Sequence, residues 1–302
     1  MKYLVIAALL LPVVAWAEVD ESRSWLDAGR DLGVTSGDNV AQWLDDFWGD
    51  STLVEEAPRS KLRLRLDYSW EDGDNNDSGV SLRGKLILPK MNQRLSLLFS
   101  DDDLNQDEID VDPEQNVLGD IYLQYKQRDD DRHRLDYKLG LTSSLALKAA
   151  TKYRYRFSPS ERFRGRFSEQ LSFRDGEGFE LDTDISFQWL LSSKNAIQLT
   201  ERLKWGESTQ GVEWYSGLSF NRRLEGTKSL SYFVFSRGET RPKYLNIDYG
   251  LGVKYRRSFY RPWLFYEFQP VYGWERLTPE DQRDGQLRMF FRLEMLFSDD
   301  KS

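Results

Sequence analysis

The sequence predicts an all-β fold: a transmembrane, antiparallel, up-and-down β-barrel of roughly fourteen strands (12–16), preceded by a short amphipathic helix. Three observations predict it. From Lys61 onward, apolar residues alternate with charged ones, as in "KLRLRLDYSW" and "GQLRMFFRLEMLF", which is the two-residue period of a strand. Clusters of turn composition, among them "EDGDNNDSG", "PKMNQ", "QRDDD", "SPSE", "DGEG", "SSKN", "GESTQ" and "LEGTK", punctuate the alternation. Aromatic residues gather where the runs end: Tyr68 and Trp70, Tyr155 and Phe157, Trp189, Trp205, Tyr272 and Trp274.

Residues 1–17 read as a secretory signal peptide. Lys2 is the basic start, Tyr3 to Val14 the apolar stretch, and Ala15-Trp16-Ala17 the small-x-small cleavage site. The segment 18–59 follows. Its "DNVAQWLDDFWGD" sets Val40, Trp43, Leu44, Phe47 and Trp48 on one helical stripe with Asp45 and Asp46 off it. After "EEAPRS" the helical period stops. Residues 60–297 form the barrel, with strands expected to start near 61, 80, 94, 117, 132, 145, 162, 179, 196, 211, 229, 243, 262 and 285. Most runs match the roughly 9–11 residues that a tilted strand needs to cross a bilayer. Pro270 falls inside the thirteenth run and predicts a bulge or kink, because it has no N–H to give. Residues 298–302 are a polar tail.

Composition narrows the chemistry. There is no cysteine and one histidine, so disulfides, thiolate metal sites and zinc or haem centres are not expected, and no cofactor is implied. Net charge −8 argues against a nucleic-acid partner, which needs a basic footprint. Charged residues at 30%, aromatics at 14% and a mean hydropathy of −0.65 are too aromatic for disorder and too polar for a water-soluble core of this size.

Alternation alone does not say which face is greasy. A lipocalin-like soluble carrier alternates too, with its apolar residues inside. Width breaks the tie: side chains fill a barrel of about eight strands, whereas a much wider one leaves a lumen. Apolar residues facing lipid and charged residues facing water satisfy both media. The alternating last strand also closes on Phe297. In these respects residues 61–297 resemble Gram-negative outer-membrane β-barrel proteins of porin-like style. The resemblance implies a place in the outer membrane among its lipids and lipopolysaccharide. It also implies that Phe297 is the aromatic read by the barrel-assembly machinery, although "SDDKS" follows it here. An even strand number puts both ends in the periplasm, with "EDGDNNDSG", "DDDLNQDEIDVDPEQN" and 276–285 facing outward. The second of these is a solvated acidic loop or a divalent-cation site against lipopolysaccharide phosphates.

The inward register then collects Arg63, Arg65, Arg83, Lys85, Arg132, Arg134, Lys138, Lys148, Lys152, Arg154, Arg156, Arg162, Arg164, Arg166 and Arg174, answered by Glu180, Asp182 and Asp184. Rings of Arg and Lys around water favour anions. The same rows can instead pair across the sheet and close the cylinder. The N-terminal helix is expected as an interfacial anchor, since such a lumen offers nothing apolar to bury against. Two acids break the outward register: Glu169 between Phe167 and Leu171, and Glu201 between Leu199 and Leu203. Either a bulge turns each inward, or they mark a contact face in a homo-oligomer, with Thr151, Thr183 and Ser216 beside them. No enzyme is predicted, because His133 sits near a turn in the outward register, and Asp182 and Asp184 read as a charge ladder.

Overall fold

The computed structural model describes residues 60–298, apart from 73–75, 89–93, 101–119, 131, 143 and 210. The signal peptide, the amphipathic stretch bearing Trp43, Phe47 and Trp48, the acidic 101–119 loop and the 299–302 tail therefore lie outside the described residues.

Fourteen strands run in chain order: β1 (Lys61–Glu71), β2 (Asp77–Ile87), β3 (Leu95–Ser100), β4 (Asp120–Asp129), β5 (His133–Leu141), β6 (Leu147–Ser160), β7 (Phe163–Arg174), β8 (Gly178–Ser192), β9 (Asn195–Gly206), β10 (Val212–Arg223), β11 (Lys228–Glu239), β12 (Leu245–Phe259), β13 (Arg261–Glu275) and β14 (Asp284–Ser298). Each pairs antiparallel with its neighbours, and β1 pairs with β14 from Lys61–Ser298 to Glu71–Arg288, so the sheet closes on itself. Closure leaves no strand edge. Most ladder N–H and C=O groups find partners within the sheet, as a chain surrounded by hydrocarbon requires.

Both ends of the barrel chain meet at one rim, here called proximal. Its turns are short: 130–132, 161–162, 193–194, 224–227 and the single residue Tyr260. The distal rim carries longer turns, such as 207–211 and 276–283.

Large apolar side chains point away from the barrel and stay exposed: Leu66, Leu139, Leu171, Trp189, Leu203, Leu218, Val234, Leu251 and Phe291 among them. Charged residues of the opposite parity are buried. The greasy face is therefore the outer one, which is the arrangement for lipid and the reverse of a soluble carrier. Outward-facing rings form two girdles. Proximally, His133, Tyr155, Phe157, Phe163 and Phe187 contact in sequence, and Trp263 lies 6.0 Å from Phe297. Distally, Tyr249 stacks on Trp274 and Trp214 on Tyr244.

Pro270 does not produce the expected bulge. It keeps register with Met289 of β14 without a shift, and Val253 and Lys254 of β12 pair with β11 but have no ladder partners on β13. The missing donor thus costs rungs on one side only. The β12–β13 register shift falls instead between Ser258 and Phe259, beside Tyr260, whose φ of 58° makes the tight reversal.

Candidate functional site: the barrel interior

The interior divides into two unlike walls. On β5–β7 it is cationic. Arg134 and Lys138 come from β5, Lys148, Lys152, Arg154 and Arg156 from β6, and Arg164, Arg166 and Arg174 from β7, all on one face by register. Asp136 is the acid among them, 2.7 Å from Arg134. Arg83 and Lys85 stand apart on β2, beyond β3 and β4, where they pair with Arg63 and Lys61 across β1–β2. Lys85, Lys152 and Arg154 are no more than 1% exposed, so these cations pack against other protein atoms rather than standing in a wide water column. Toward the proximal rim the packing loosens, and Arg156, Arg164 and Arg166 are half-buried.

Arg132 and Arg162 do not line the lumen as expected. Both fall in proximal turns, just outside β5 and β7, and are exposed at the mouth. Parity was right for each, but the strands stop one residue short of it.

The facing wall, β11–β14 with β1, is an acid–base lattice. Glu294 is the hub: Arg256 Nη2 lies 2.6 Å from one carboxylate oxygen, Arg65 Nε 3.1 Å from the other, and Arg63 Nε 3.6 Å away. Arg256 and Arg292 both approach Glu267 at 3.5 Å, and Arg292 Nε donates to Asp67 at 2.6 Å. A second group joins Arg288 and Arg237 to Asp248 at 2.9 and 3.5 Å. Arg63, Arg65 and Glu294 were visible in the alternation. Arg288 and Arg292 alternate with the apolar residues of "GQLRMFFRLEMLF" as Glu294 does, whereas Arg237, Arg256 and Glu267 were missed, although Arg256 has inward parity with Asp248 in "DYGLGVKYRR".

Between the walls, two of the β8 acids find cations on β9. Across from Glu180, Asp182 and Asp184, β7 offers Ser172, Gln170 and Ser168, while Arg164 and Arg166 sit nearer the proximal end. On β9, Arg202 Nε lies 2.9 Å from Asp184 and Lys204 Nζ 3.0 Å from Glu180. Asp182 lies between these two ion pairs along β8, across from Lys204 in register.

One interior feature contradicts an expectation. Tyr215, Phe233, Phe235 and Val271 form a buried cluster with Phe290 packed on it, all facing inward. Phe233 and Phe235 stand directly across from Gly252 and Gly250, whose missing side chains leave the rings room to lie along the wall. Arg288 and Arg256 guanidinium groups lie over Phe235 and Phe265 at 5.9 and 4.6 Å. The lumen therefore does offer apolar surface. The sequence signal was the run "YFVF", apolar at both parities, followed by "GLG" on the next strand.

Glu169 and Glu201 face outward. No register shift interrupts β7 or β9 near them, so the expected inward-turning bulge is absent. Glu169 is exposed, with Tyr153 and Thr183 as cross-strand neighbours. Glu201 accepts a 2.7 Å hydrogen bond from Ser216, and Ser216 pairs with Ser236. A polar belt thus crosses the lipid face from β6 to β11.

His133 also faces outward, hydrogen-bonded through Nδ1 to the Tyr153 hydroxyl at 2.7 Å, with the Tyr155 ring tilted against it at 4.9 Å. Its ring contacts are with the girdle tyrosines Tyr153 and Tyr155, and its backbone N–H donates to Asp130. Among the described residues, no group of three or more His, Cys, Asp or Glu could hold a metal ion.

No family model matches the chain, and no curated protein matches it. The chain is similar to several solved structures. OccK11 (OpdR) of Pseudomonas aeruginosa is 11% identical, aligning 80% of this chain with 96% of that one at a TM-score of 0.45. The CymD monoaromatic hydrocarbon channel is 8% identical over 84% and 92% of the two chains, TM-score 0.49. The KdgM porin in complex with disordered oligogalacturonate is 8% identical over 77% and 98%, TM-score 0.37. The likeness is one of barrel architecture.

Proposed function

We propose that this protein is an outer-membrane channel of a Gram-negative cell that favours small anions. The observation that carries the reading is the β5–β7 wall, where Arg and Lys face inward from three consecutive strands with Asp136 as their acid. Export through a cleaved signal peptide, lipid-facing apolar residues and two aromatic girdles support the location. Arg156, Arg164 and Arg166, with Arg132 and Arg162 at the rim, form a basic mouth that draws anions in before the lumen narrows. No catalytic role belongs to this reading.

The test is conductance in planar bilayers under a salt gradient. The channel reading expects a reversal potential of anion sign. Arg156 and Arg166 face each other across β6–β7, and replacing both with Glu should move the potential toward cation preference. Cation preference in the unaltered protein would refute it.

A second reading is a closed envelope barrel without transport. The near-complete burial of Lys85, Lys152, Arg154, Arg256 and Glu294, and the lattice around Glu294, favour it. It expects outer-membrane fractionation with heat-modifiable gel mobility and no conductance. In either case, the Glu169–Glu201 belt supports a contact face between barrels.

A further inference from the structure

A fourteen-strand barrel is wide. Strands spaced about 4.8 Å apart and tilted about 40° give a backbone diameter of roughly 28 Å. Inward Arg and Lys side chains from opposite walls still leave a gap on the order of 10 Å, so they should be wet if nothing else were inside. They are not. Lys85 is 0% exposed, Arg154 1%, Phe233 4% and Val271 0%. The lumen is filled by more than its own wall.

We infer that the filling is the acidic segment at residues 18–59, seated in the lumen between the basic β5–β7 wall and the aromatic cluster. Charge fits: in that segment Asp and Glu outnumber Arg eleven to three, with no lysine. Apolar surface fits as well. Val40, Trp43, Leu44, Phe47 and Trp48 share one helical stripe, and Tyr215, Phe233, Phe235, Val271 and Phe290 supply its counterpart on the inner wall. The carboxylates of Asp45 and Asp46, off that stripe, then meet the cations opposite.

Reach fits too. Lys61 opens β1 at the proximal rim, and twelve residues separate it from Trp48, up to about 40 Å of chain. Phe233 lies five residues into β11 from that rim, about 17 Å along the strand. The segment can therefore enter from the proximal mouth and arrive at the cluster with chain to spare. A membrane-surface anchor would use the same aromatic stripe, but it would leave the interior cations and rings uncovered.

The absence of native cysteine makes the test clean. Gln42→Cys is combined, in the full-length protein, with Ser219→Cys, which faces inward across from Phe233, or with Leu218→Cys on the lipid face. A short bismaleimide should give an intramolecular product with the inward pair, several-fold above the outward pair. Adding Asp45→Lys and Asp46→Lys should cut that yield several-fold and raise maleimide labelling of a lone Ser219→Cys. Heat-modifiable mobility verifies that each variant has folded. Equal yields from the two pairs, or a lumen cysteine indifferent to the charge reversals, would overturn the inference. Neither readout depends on whether the barrel conducts.

Discussion

Glu294→Gln is the most discriminating single perturbation. The substitution keeps the side chain's volume and one carbonyl acceptor, so it removes little but the charge. Glu294 is 1% exposed and faces three guanidinium groups, those of Arg256, Arg65 and Arg63, between 2.6 and 3.6 Å away. Breaking a buried ion pair from one side typically costs about 3–5 kcal/mol, because the partner is left charged and desolvated. Glu267 lies 3.5 Å from Arg256 and compensates in part, which puts the expected loss near the lower end, about 3 kcal/mol. If water instead filled the lumen, the same pairs would be screened, and the loss would be about 0–1 kcal/mol. Urea titration of the folded barrel in lipid vesicles, followed by tryptophan emission and heat-modifiable mobility, measures the difference. Adding Arg256→Met to Glu294→Gln should recover part of the loss, since it withdraws one stranded cation. A loss under about 1 kcal/mol would refute the buried lattice and favour an open, wet interior.

Other outcomes follow from the same geometry. Gly252→Ala drives a methyl group into the Phe233 ring and to 2.7 Å from the Pro270 carbonyl oxygen, so it should destabilise by about 1–3 kcal/mol in the same titration; an unmoved midpoint would mean that the ring does not lie on that wall. Leucine at both Glu169 and Glu201 should weaken crosslinked self-association in vesicles, and an unchanged ladder of oligomers would end the contact-face idea. In the β4–β5 turn, the His133 amide and the Arg128 guanidinium hold the Asp130 carboxyl down at about 2, from an ordinary 3.8. Its contribution to that turn is therefore present above the ordinary value and lost as pH falls through about 2; a carboxyl titration by NMR with its midpoint near 3.8 would contradict this. Phe297→Ala removes the ring that stacks on Trp263 and should lower the fraction of chain recovered in the folded, heat-modifiable form, while full recovery would deny Phe297 an assembly role.

Strand number and direction of facing were readable in advance because both depend on a two-residue period, and that period survives any tilt or stagger. Leu64 and Arg65 needed only to be neighbours in sequence to be assigned opposite faces. What depends on stagger was less legible. The β8 acids appeared to answer the β7 arginines, yet the register slides Arg164 and Arg166 toward the proximal end and leaves β9 to supply Arg202 and Lys204. Arg132 and Arg162 had the right parity and the wrong height. The aromatic cluster was hidden by a different cause. Tyr232 to Phe235 are apolar at every position, so alternation carries no information there, and only the glycines across β12 show where Phe233 and Phe235 can go. Pro270 looked like a break because a lost donor usually interrupts a ladder; here the interruption stays on the β12 side.

The seam between β1 and β14 bears on how the molecule is made. Arg65 and Glu294 are 229 residues apart in sequence, and Asp67 and Arg292 are 225 apart. The first strand must therefore wait, its inward arginines unneutralised, until the final fifteen residues of the barrel have been synthesised and delivered to it. A nascent chain cut short before β14 lacks Arg288, Arg292 and Glu294 together, so it cannot zip into a cylinder that merely omits one stave. Completion is thereby written into the electrostatics of the join, and a fragment exposes its unfinished edge to whatever disposes of failures in the envelope.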